Sequence, residues 1–200
     1  TVTINDEPDL NTKSSVMSKY YISAEELLQD SFLLAKKVFD FGYRPDHIIG
    51  IWRGGGPIAI AIHEYFDYMG VESQHHPVKI SSYSDLGQQK NYILIKGLSS
   101  LIDSIKSDEK VLIVDDVLDT GRSLDALLTE LGNKNIDLQP QRCKIACPWY
   151  KPTRNLTSIQ PDFYLRTTHD WLVFPHELKG LSAKEISLNK TSISKIITQK

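Results

Sequence analysis

Hydrophobic residues recur along this chain with two periods, and the switches between them mark the elements. Ser23-Ala-Glu-Glu26 has the residues of a capping box, a hydroxyl able to accept from the amide three positions on and a carboxylate able to reach back. Leu27, Leu28, Phe32, Leu34, Ala35, Val38 and Phe39 follow at helical spacing, which predicts a first helix ending near Phe39, ahead of Gly42. The period then changes. His47-Ile-Ile-Gly-Ile-Trp52 is a strand-like apolar run and a glycine turn follows it; Ile58 to Met69 is helix-like and closed by Gly70, and His76-Pro-Val-Lys-Ile-Ser81 is again rich in β-formers. The alternation returns as Val111-Leu-Ile-Val114, a polar turn from Asp115 to Gly121, and a helix with Leu124, Leu127, Leu128 and Leu131 at i, i+3, i+4 and i+7, stopped by Gly132 at a C′ position. Arg142-Cys-Lys-Ile-Ala-Cys147 predicts one more strand. Strands apolar on both faces and separated by helices predict an α/β fold, a twisted and mainly parallel sheet flanked by helices on two sides.

The ends break this pattern. Residues 1–18, with Asn5-Asp-Glu-Pro-Asp9 and Asn11-Thr-Lys-Ser-Ser15, are polar and aperiodic and read as a flexible extension. Residues 178–200 scatter Ile186, Leu188, Ile193, Ile196 and Ile197 among Ser and Lys, the pattern of a marginal helix. The 200 residues suffice for one ordinary domain. With 23 Lys and Arg against 25 Asp and Glu, the formal charge is -2, and no basic block stands out. That argues against a nucleic-acid partner, which would be held by phosphate neutralisation. Apolar runs such as Gly56-Pro-Ile-Ala-Ile-Ala-Ile62 fall far short of the ~20 residues of a membrane helix, and Thr1 to Asp6 lack a charged-then-apolar leader. The expectation is a soluble, cytoplasmic chain without a membrane partner. Cys143 and Cys147 are too few for a disulfide framework and lack CxxC spacing; four apart on a strand, they read as small buried residues. His75-His76, before Pro77, reads as a surface pair.

The densest chemistry lies in Val111-Leu-Ile-Val-Asp-Asp-Val-Leu-Asp-Thr-Gly-Arg-Ser-Leu124. Four apolar β-formers bring Asp115 and Asp116 to the carboxyl end of a strand, the edge where open α/β sheets bind ligands. Asp119-Thr-Gly-Arg-Ser123 then turns into a helix. Its start offers unpaired amides, a partial positive charge, two hydroxyls and a tight turn at Gly121, all suited to a phosphate. Adjacent carboxylates repel unless hydroxyls or a cation such as Mg²⁺ lie beside them. In Ile51-Trp-Arg-Gly-Gly-Gly-Pro57, consecutive glycines let ligand oxygens approach the backbone and Arg53 supplies a fork of donors. Ile80-Ser-Ser-Tyr-Ser-Asp-Leu-Gly-Gln-Gln-Lys90 has too little apolar content to stay packed and reads as a mobile loop. Taken alone, Lys151 in Tyr150-Lys-Pro152 reads as a solvated charge, and Trp171 in His169-Asp-Trp-Leu-Val-Phe-Pro-His-Glu177 as core.

Together these stretches resemble the type I phosphoribosyltransferases. The string from Val111 resembles their phosphoribosyl-pyrophosphate (PRPP) signature: four hydrophobics, two acids, two hydrophobics, Asp-Thr-Gly, a variable residue, then Ser or Thr. The resemblance implies that Asp115 and Asp116 hold the ribose hydroxyls of PRPP, and that Asp119, Thr120, Gly121, Arg122 and Ser123 hold its 5′-phosphate. As in purine-using members, Asp119 would also face N7 of the base as general base. Arg53, Gly54 and Gly55 resemble the pyrophosphate loop, where relatives often carry a strained or cis peptide; Trp52 stands where they commonly have a small or polar residue. Ser81-Ser82-Tyr83 resembles the flexible lid of the bacterial xanthine-guanine and hypoxanthine enzymes, which excludes water as it closes.

Lys151-Pro152 and the Asp170-Trp171 to Glu177 stretch resemble the base-binding hood of 6-oxopurine enzymes. Lys151 would donate to O6, Trp171 would stack on the ring, and Leu172 would offer backbone groups to the base edge. Glu177, with Asp115 and Asp116, would hold Mg²⁺. His176 departs from the aromatic residue that many relatives carry there. The resemblance spans about Lys19 to Glu177, implying a phosphoribosyltransferase domain over 19–177 with its hood at about 160–177. It further implies transfer from PRPP to hypoxanthine, guanine or xanthine by a homodimer or homotetramer. Two alternatives share the motifs: a non-catalytic PRPP-sensing regulator, and an enzyme for another base.

Overall fold

The structure, a computed structural model, describes residues 18–84 and 91–198. The stretches predicted as a flexible extension, apart from Ser18, and as the tip of the lid lie outside the described residues. In chain order the elements are β1 (Lys19–Tyr21), α1 (Ala24–Asp40), β2 (His47–Trp52), α2 (Gly55–Tyr68), β3 (Gln74–Ser84), β4 (Asn91–Lys96), α3 (Leu98–Ser104) and β5 (Val111–Val114). They continue as β6 (Val117–Leu118), α4 (Arg122–Asn133), β7 (Cys143–Tyr150), β8 (Phe163–Thr167), β9 (Trp171–Val173), α5 (Ala183–Asn189) and α6 (Thr191–Thr198).

The main sheet runs β4-β3-β2-β5-β7-β6, with β8 also paired to β7, and among the described residues only β3–β4 is antiparallel in it. Its central strands are apolar on both faces because each face has its own helical cover. Ile48, Leu112 and Val114 pack with Leu34, Val38, Ile58, Ile62 and Phe66 of α1 and α2. Ile49, Val111 and Ile113 pack with Leu101, Leu124, Leu127 and Leu131 of α3 and α4 on the other side. This is the α/β arrangement expected, a mostly parallel sheet between helices. β1 and β9 form a separate two-stranded parallel sheet, with Tyr20 opposite Leu172.

Several local expectations change. Ser23 caps α1 by accepting from the Glu26 amide at 3.0 Å, but the Glu26 carboxylate accepts from the Tyr20 hydroxyl at 2.8 Å, so it ties the helix start to β1. Gly132 lies inside α4, and the left-handed residue beyond the helix is Asn135. Ser81, Ser82 and Tyr83 are not in a loop: they lie in β3, opposite Leu94, Ile93 and Tyr92 of β4. Ladder hydrogen bonds hold this polar stretch, which apolar burial alone would not. Cys143 and Cys147 are free and buried as expected, and burial pushes the Cys143 thiol up to about 12.

His75 and His76, expected as a surface pair, are part-buried and make contacts inside the fold. His47, fully buried at the start of β2, shares a hydrogen bond between its Nδ1 and His76 Nε2 at 3.0 Å, and its Nε2 meets Glu109 Oε2 at 2.8 Å. His75 lies edge-on to His63, with ring centroids 5.5 Å apart. The His47 bond, helped by the Lys106 amide, holds the Glu109 carboxyl down at about 2. A depressed carboxylate stabilises the fold above its unfolded value and loses that contribution as pH falls toward its folded value. Glu109→Gln should therefore lower the urea midpoint at pH 7, and the gap to the wild type should close between pH 4.5 and 2. A gap that is constant with pH would show that Glu109 acts through packing alone.

Candidate active site

The site forms where the carboxyl ends of neighbouring parallel strands meet. β2 and β5 run side by side with Gly50 opposite Val114, so the Arg53-Gly54-Gly55 turn and the Asp115-Asp116 pair emerge together. The contact between them is close. A Cβ on Gly54 would stand 1.7 Å from Asp116 Oδ2, and one on Gly55 would stand 2.5 Å from the Val114 carbonyl oxygen. These glycines are therefore required by the acid pair and by β5, in addition to any ligand. Arg53 is exposed and follows a cis Trp52–Arg53 peptide, as the resemblance implied. Trp52 is half exposed, and its ring lies over Gly56 at the start of α2.

Asp115 Oδ1 accepts from the Asp116 amide at 2.9 Å, and Asp116 Oδ1 accepts from the Val117 amide at 2.8 Å. Loss of water raises both carboxyls: Asp115 well above the ordinary range, with the charge of Asp116 adding to it, and Asp116 to about 6, with the charge of Glu177 adding to it. The pair is thus strained electrostatically in a way that a divalent cation or a set of hydroxyl donors relieves. Among the described residues, no three His, Cys, Asp or Glu side chains converge as a metal cage. Two carboxylates that leave the remaining positions to substrate oxygens and water fit Mg²⁺, which is seldom caged by protein alone.

Beyond the pair, residues 119–123 wrap a small cavity of about 80 Å³ lined by Asp115, Asp119, Thr120, Gly121 and Ser123 among others. Gly121, at φ 78°, turns the chain into α4, so that the helix start faces this cavity. Arg122 is exposed at that start. Part of the wall was not legible in the sequence. The turn after β7 folds over the loop through Lys151 N–H to Leu118 O at 2.9 Å and Leu156 N–H to Thr120 O at 3.0 Å. A Cβ on Gly121 would meet Thr157 Oγ1 at 2.4 Å and Asn155 Oδ1 at 2.7 Å.

That turn also brings two cations to one carboxylate. Lys151, only 4% exposed, donates from Nζ to Asp119 Oδ2 at 3.3 Å, and Arg154 donates from Nε to Asp119 Oδ1 at 2.6 Å. Lys151 is therefore a buried partner and not a solvated charge. Arg154 was missed; a second cation three residues after Lys151 in a proline-containing turn was the signal available. Trp171 is 57% exposed, on β9, while the Leu172 side chain is buried. Trp171 N–H donates to Ser18 O and Val173 O accepts from Ile22 N–H, so both neighbours of Leu172 face β1. In a parallel ladder this turns the Leu172 N–H and C=O to the opposite side, away from β1. Glu177 Oε2 accepts from the Phe174 amide at 3.1 Å, and His176 stacks on the Phe174 ring.

A helix-flanked parallel sheet with an acid pair, a phosphate-sized turn and a glycine loop at its carboxyl edge is the architecture of a phosphoribosyltransferase. The profile of the family described as Phosphoribosyl transferase domain matches residues 21–181, and the chain belongs to that family. It is similar to the crystal structure of a purine phosphoribosyltransferase from Pyrococcus horikoshii Ot3, with 30% identity and a TM-score of 0.64 over 83% of this chain and 98% of that one. It is 27% identical to the hypoxanthine-guanine phosphoribosyltransferase of Lactococcus lactis over 74% of this chain and 75% of the relative. It is also 32% identical to the bifunctional protein PyrR of Akkermansia muciniphila, over 62% of this chain and 67% of the relative. Among the described residues no helix is long and apolar enough to cross a membrane.

Proposed function

We propose that this phosphoribosyltransferase moves the phosphoribosyl group of PRPP to a ring nitrogen of a 6-oxopurine, releasing pyrophosphate. The observation that carries the reading is the pairing of Lys151 Nζ with Asp119 Oδ2 at 3.3 Å. A 6-oxopurine presents an acceptor, O6, beside a titratable nitrogen, N7. A buried ammonium beside a carboxylate is the matching donor and acceptor. Adenine places a donor at position 6, which an ammonium cannot accept. Trp171 offers an exposed aromatic face for the ring, and the outward backbone groups of Leu172 offer polar contacts to its edge.

In this reading the amides and hydroxyls of Thr120 to Ser123 hold the 5′-phosphate and Asp115 and Asp116 hold the ribose hydroxyls. Arg53, with the amides of Gly54 and Gly55, faces the pyrophosphate. Mg²⁺ on the Asp115–Asp116 pair, with Glu177 nearby, would neutralise the departing pyrophosphate. Asp119 receives or orients the N7 proton, and Arg154 and Lys151 keep its two oxygens aimed. Positioning and charge carry the catalysis, with no covalent nucleophile required.

Mixed with PRPP, Mg²⁺ and each base in turn, the protein should turn over at least one of hypoxanthine, guanine and xanthine, read from the absorbance change. Silence with all three rejects the proposal. Adenine, orotate and uracil go into the same panel to test the second reading, an enzyme for another base. PRPP binding in calorimetry without turnover of any base would indicate a sensor. Lys151→Ala should raise the base KM by about 10- to 100-fold, the range of a lost charged hydrogen bond, whereas Asp119→Asn should act mainly on kcat. The reverse order would exchange their roles.

A further inference from the structure

Glu185 and Lys190 tie the segment after Glu177 to the rest of the molecule. Ser182 and Glu185 form a reciprocal capping box at the start of α5. Glu185 also accepts from Lys19 Nζ at 2.5 Å and from the Tyr21 hydroxyl at 3.3 Å, which fastens α5 to β1. At the junction of α5 and α6 stands Lys190, 8% exposed. Its Nζ donates to Phe174 O at 2.7 Å and to Pro175 O at 3.0 Å, the carbonyls two and three residues before Glu177. Lys190 also lines a cleft of about 370 Å³, together with Tyr21, Ile22, Pro175, Asn189 and Ile193 among others.

A lysine is a costly choice for this position. Its charge is desolvated, and burial lowers its pKa from the ordinary value, offset in part by the charge of Glu177. An apolar side chain of similar length would fill the space without that cost. What the ammonium adds is a pair of charge-assisted bonds that fix the Phe174-Pro-His-Glu177 turn from behind. The same turn holds the Glu177 carboxylate, whose Oε2 accepts from the Phe174 amide at 3.1 Å, so the residue whose carbonyl Lys190 binds also fixes Glu177. The Glu177 charge in turn bears on Asp116.

We infer that Lys190 is a positioning residue for PRPP: through the Phe174 and Pro175 carbonyls it sets where Glu177 stands relative to Asp116. The helical tail is thereby a back wall of the pyrophosphate side of the site. The inference rests on the PRPP reading of that site but not on the identity of the base.

Calorimetry of Mg²⁺ and PRPP binding to the full chain tests it without turnover. Lys190→Met should weaken PRPP by about ten-fold or more, the range of lost charge-assisted bonds, while the base KM stays within about two-fold. In the Glu177→Gln background the same change should cost less than about two-fold, because the residue it positions is already disabled. Lys190→Arg, which keeps the charge and donors, should recover part of the affinity. If Lys190→Met lacks a cooperative thermal transition, Lys190→Gln, which keeps one donor group, goes through the same cycle. Unchanged PRPP affinity, equal losses for PRPP and base, or additive effects with Glu177→Gln would each overturn the inference and leave the site reading standing. A wild-type chain without PRPP affinity would overturn both.

Discussion

Gly54→Ala should abolish PRPP-dependent catalysis, with kcat/KM for PRPP falling by about 100-fold or more, the scale of a misplacement near 1 Å at a reacting site. The added methyl would lie 1.7 Å from Asp116 Oδ2, 2.2 Å from its Cγ and 2.9 Å from its Oδ1. No rotation of the methyl relieves that overlap, so either the loop or the carboxylate moves. If the carboxylate moves, it leaves the Val117 amide that it holds at 2.8 Å, and a part-buried polar group loses its partner. If the loop moves, Gly55 is drawn with it, and Gly55 already sits against the Val114 carbonyl and Asp115 Cα. Both routes separate the proposed pyrophosphate turn from the proposed ribose pair. Steady-state kinetics against PRPP, with circular dichroism to confirm the fold, check the prediction. A variant retaining a third of the wild-type kcat/KM would mean that the contact is slack in solution.

How much of this was legible beforehand follows the range of each interaction. β2, β5 and α4 could be read because their signals are local: runs apolar on both faces, and leucines at one helical spacing. The Asp115–Asp116 pair and the Arg53 turn could be read for the same reason, since each is a contiguous string. β4 and α3 were missed. β4 is an antiparallel edge strand whose Leu94 is exposed, and α3 is a seven-residue helix with three serines, so neither has enough periodicity to stand out. The polar half of β3 has the sequence pattern of a loop because its support is the β4 ladder and not burial.

The remaining gaps in the site are long-range. Arg154 meets a carboxylate 35 residues earlier, and the Glu109–His47 contact spans 62 residues. Lys190 was invisible for a further reason: its partners are carbonyl oxygens, which every residue carries and no sequence pattern marks. Even the capping box was half legible, because Tyr20 competes for Glu26 only once β1 lies beside α1.

Asp116→Asn should stabilise the ligand-free protein while removing its affinity for PRPP. The folded chain holds the Asp116 carboxyl up at about 6 against an ordinary 3.8, first through loss of water and then through the charge of Glu177. A carboxyl raised on folding favours its protonated form, so the stabilising contribution of this group is fully present below pH 3.8 and is lost as pH rises through 6. At pH 8 the penalty is of order 2 kcal/mol, and its removal should raise the melting temperature by about 4–8 °C for a chain of this size. The advantage of the variant should shrink as pH falls from 6 to 4 and disappear below, because the wild-type carboxyl is then neutral as well. Asparagine still offers the Val117 amide an acceptor, so the backbone turn survives. It no longer offers a charge to a cation, and PRPP affinity in the presence of Mg²⁺ should fall by about 100-fold. The same linkage predicts that the wild type releases protons on binding Mg²⁺ and PRPP near pH 6, measurable as a dependence of the calorimetric heat on buffer ionisation enthalpy. A variant less stable than the wild type at pH 8, or a gap that widens on acidification, would contradict the view that the acid pair is kept at the expense of stability for the ligand that relieves it.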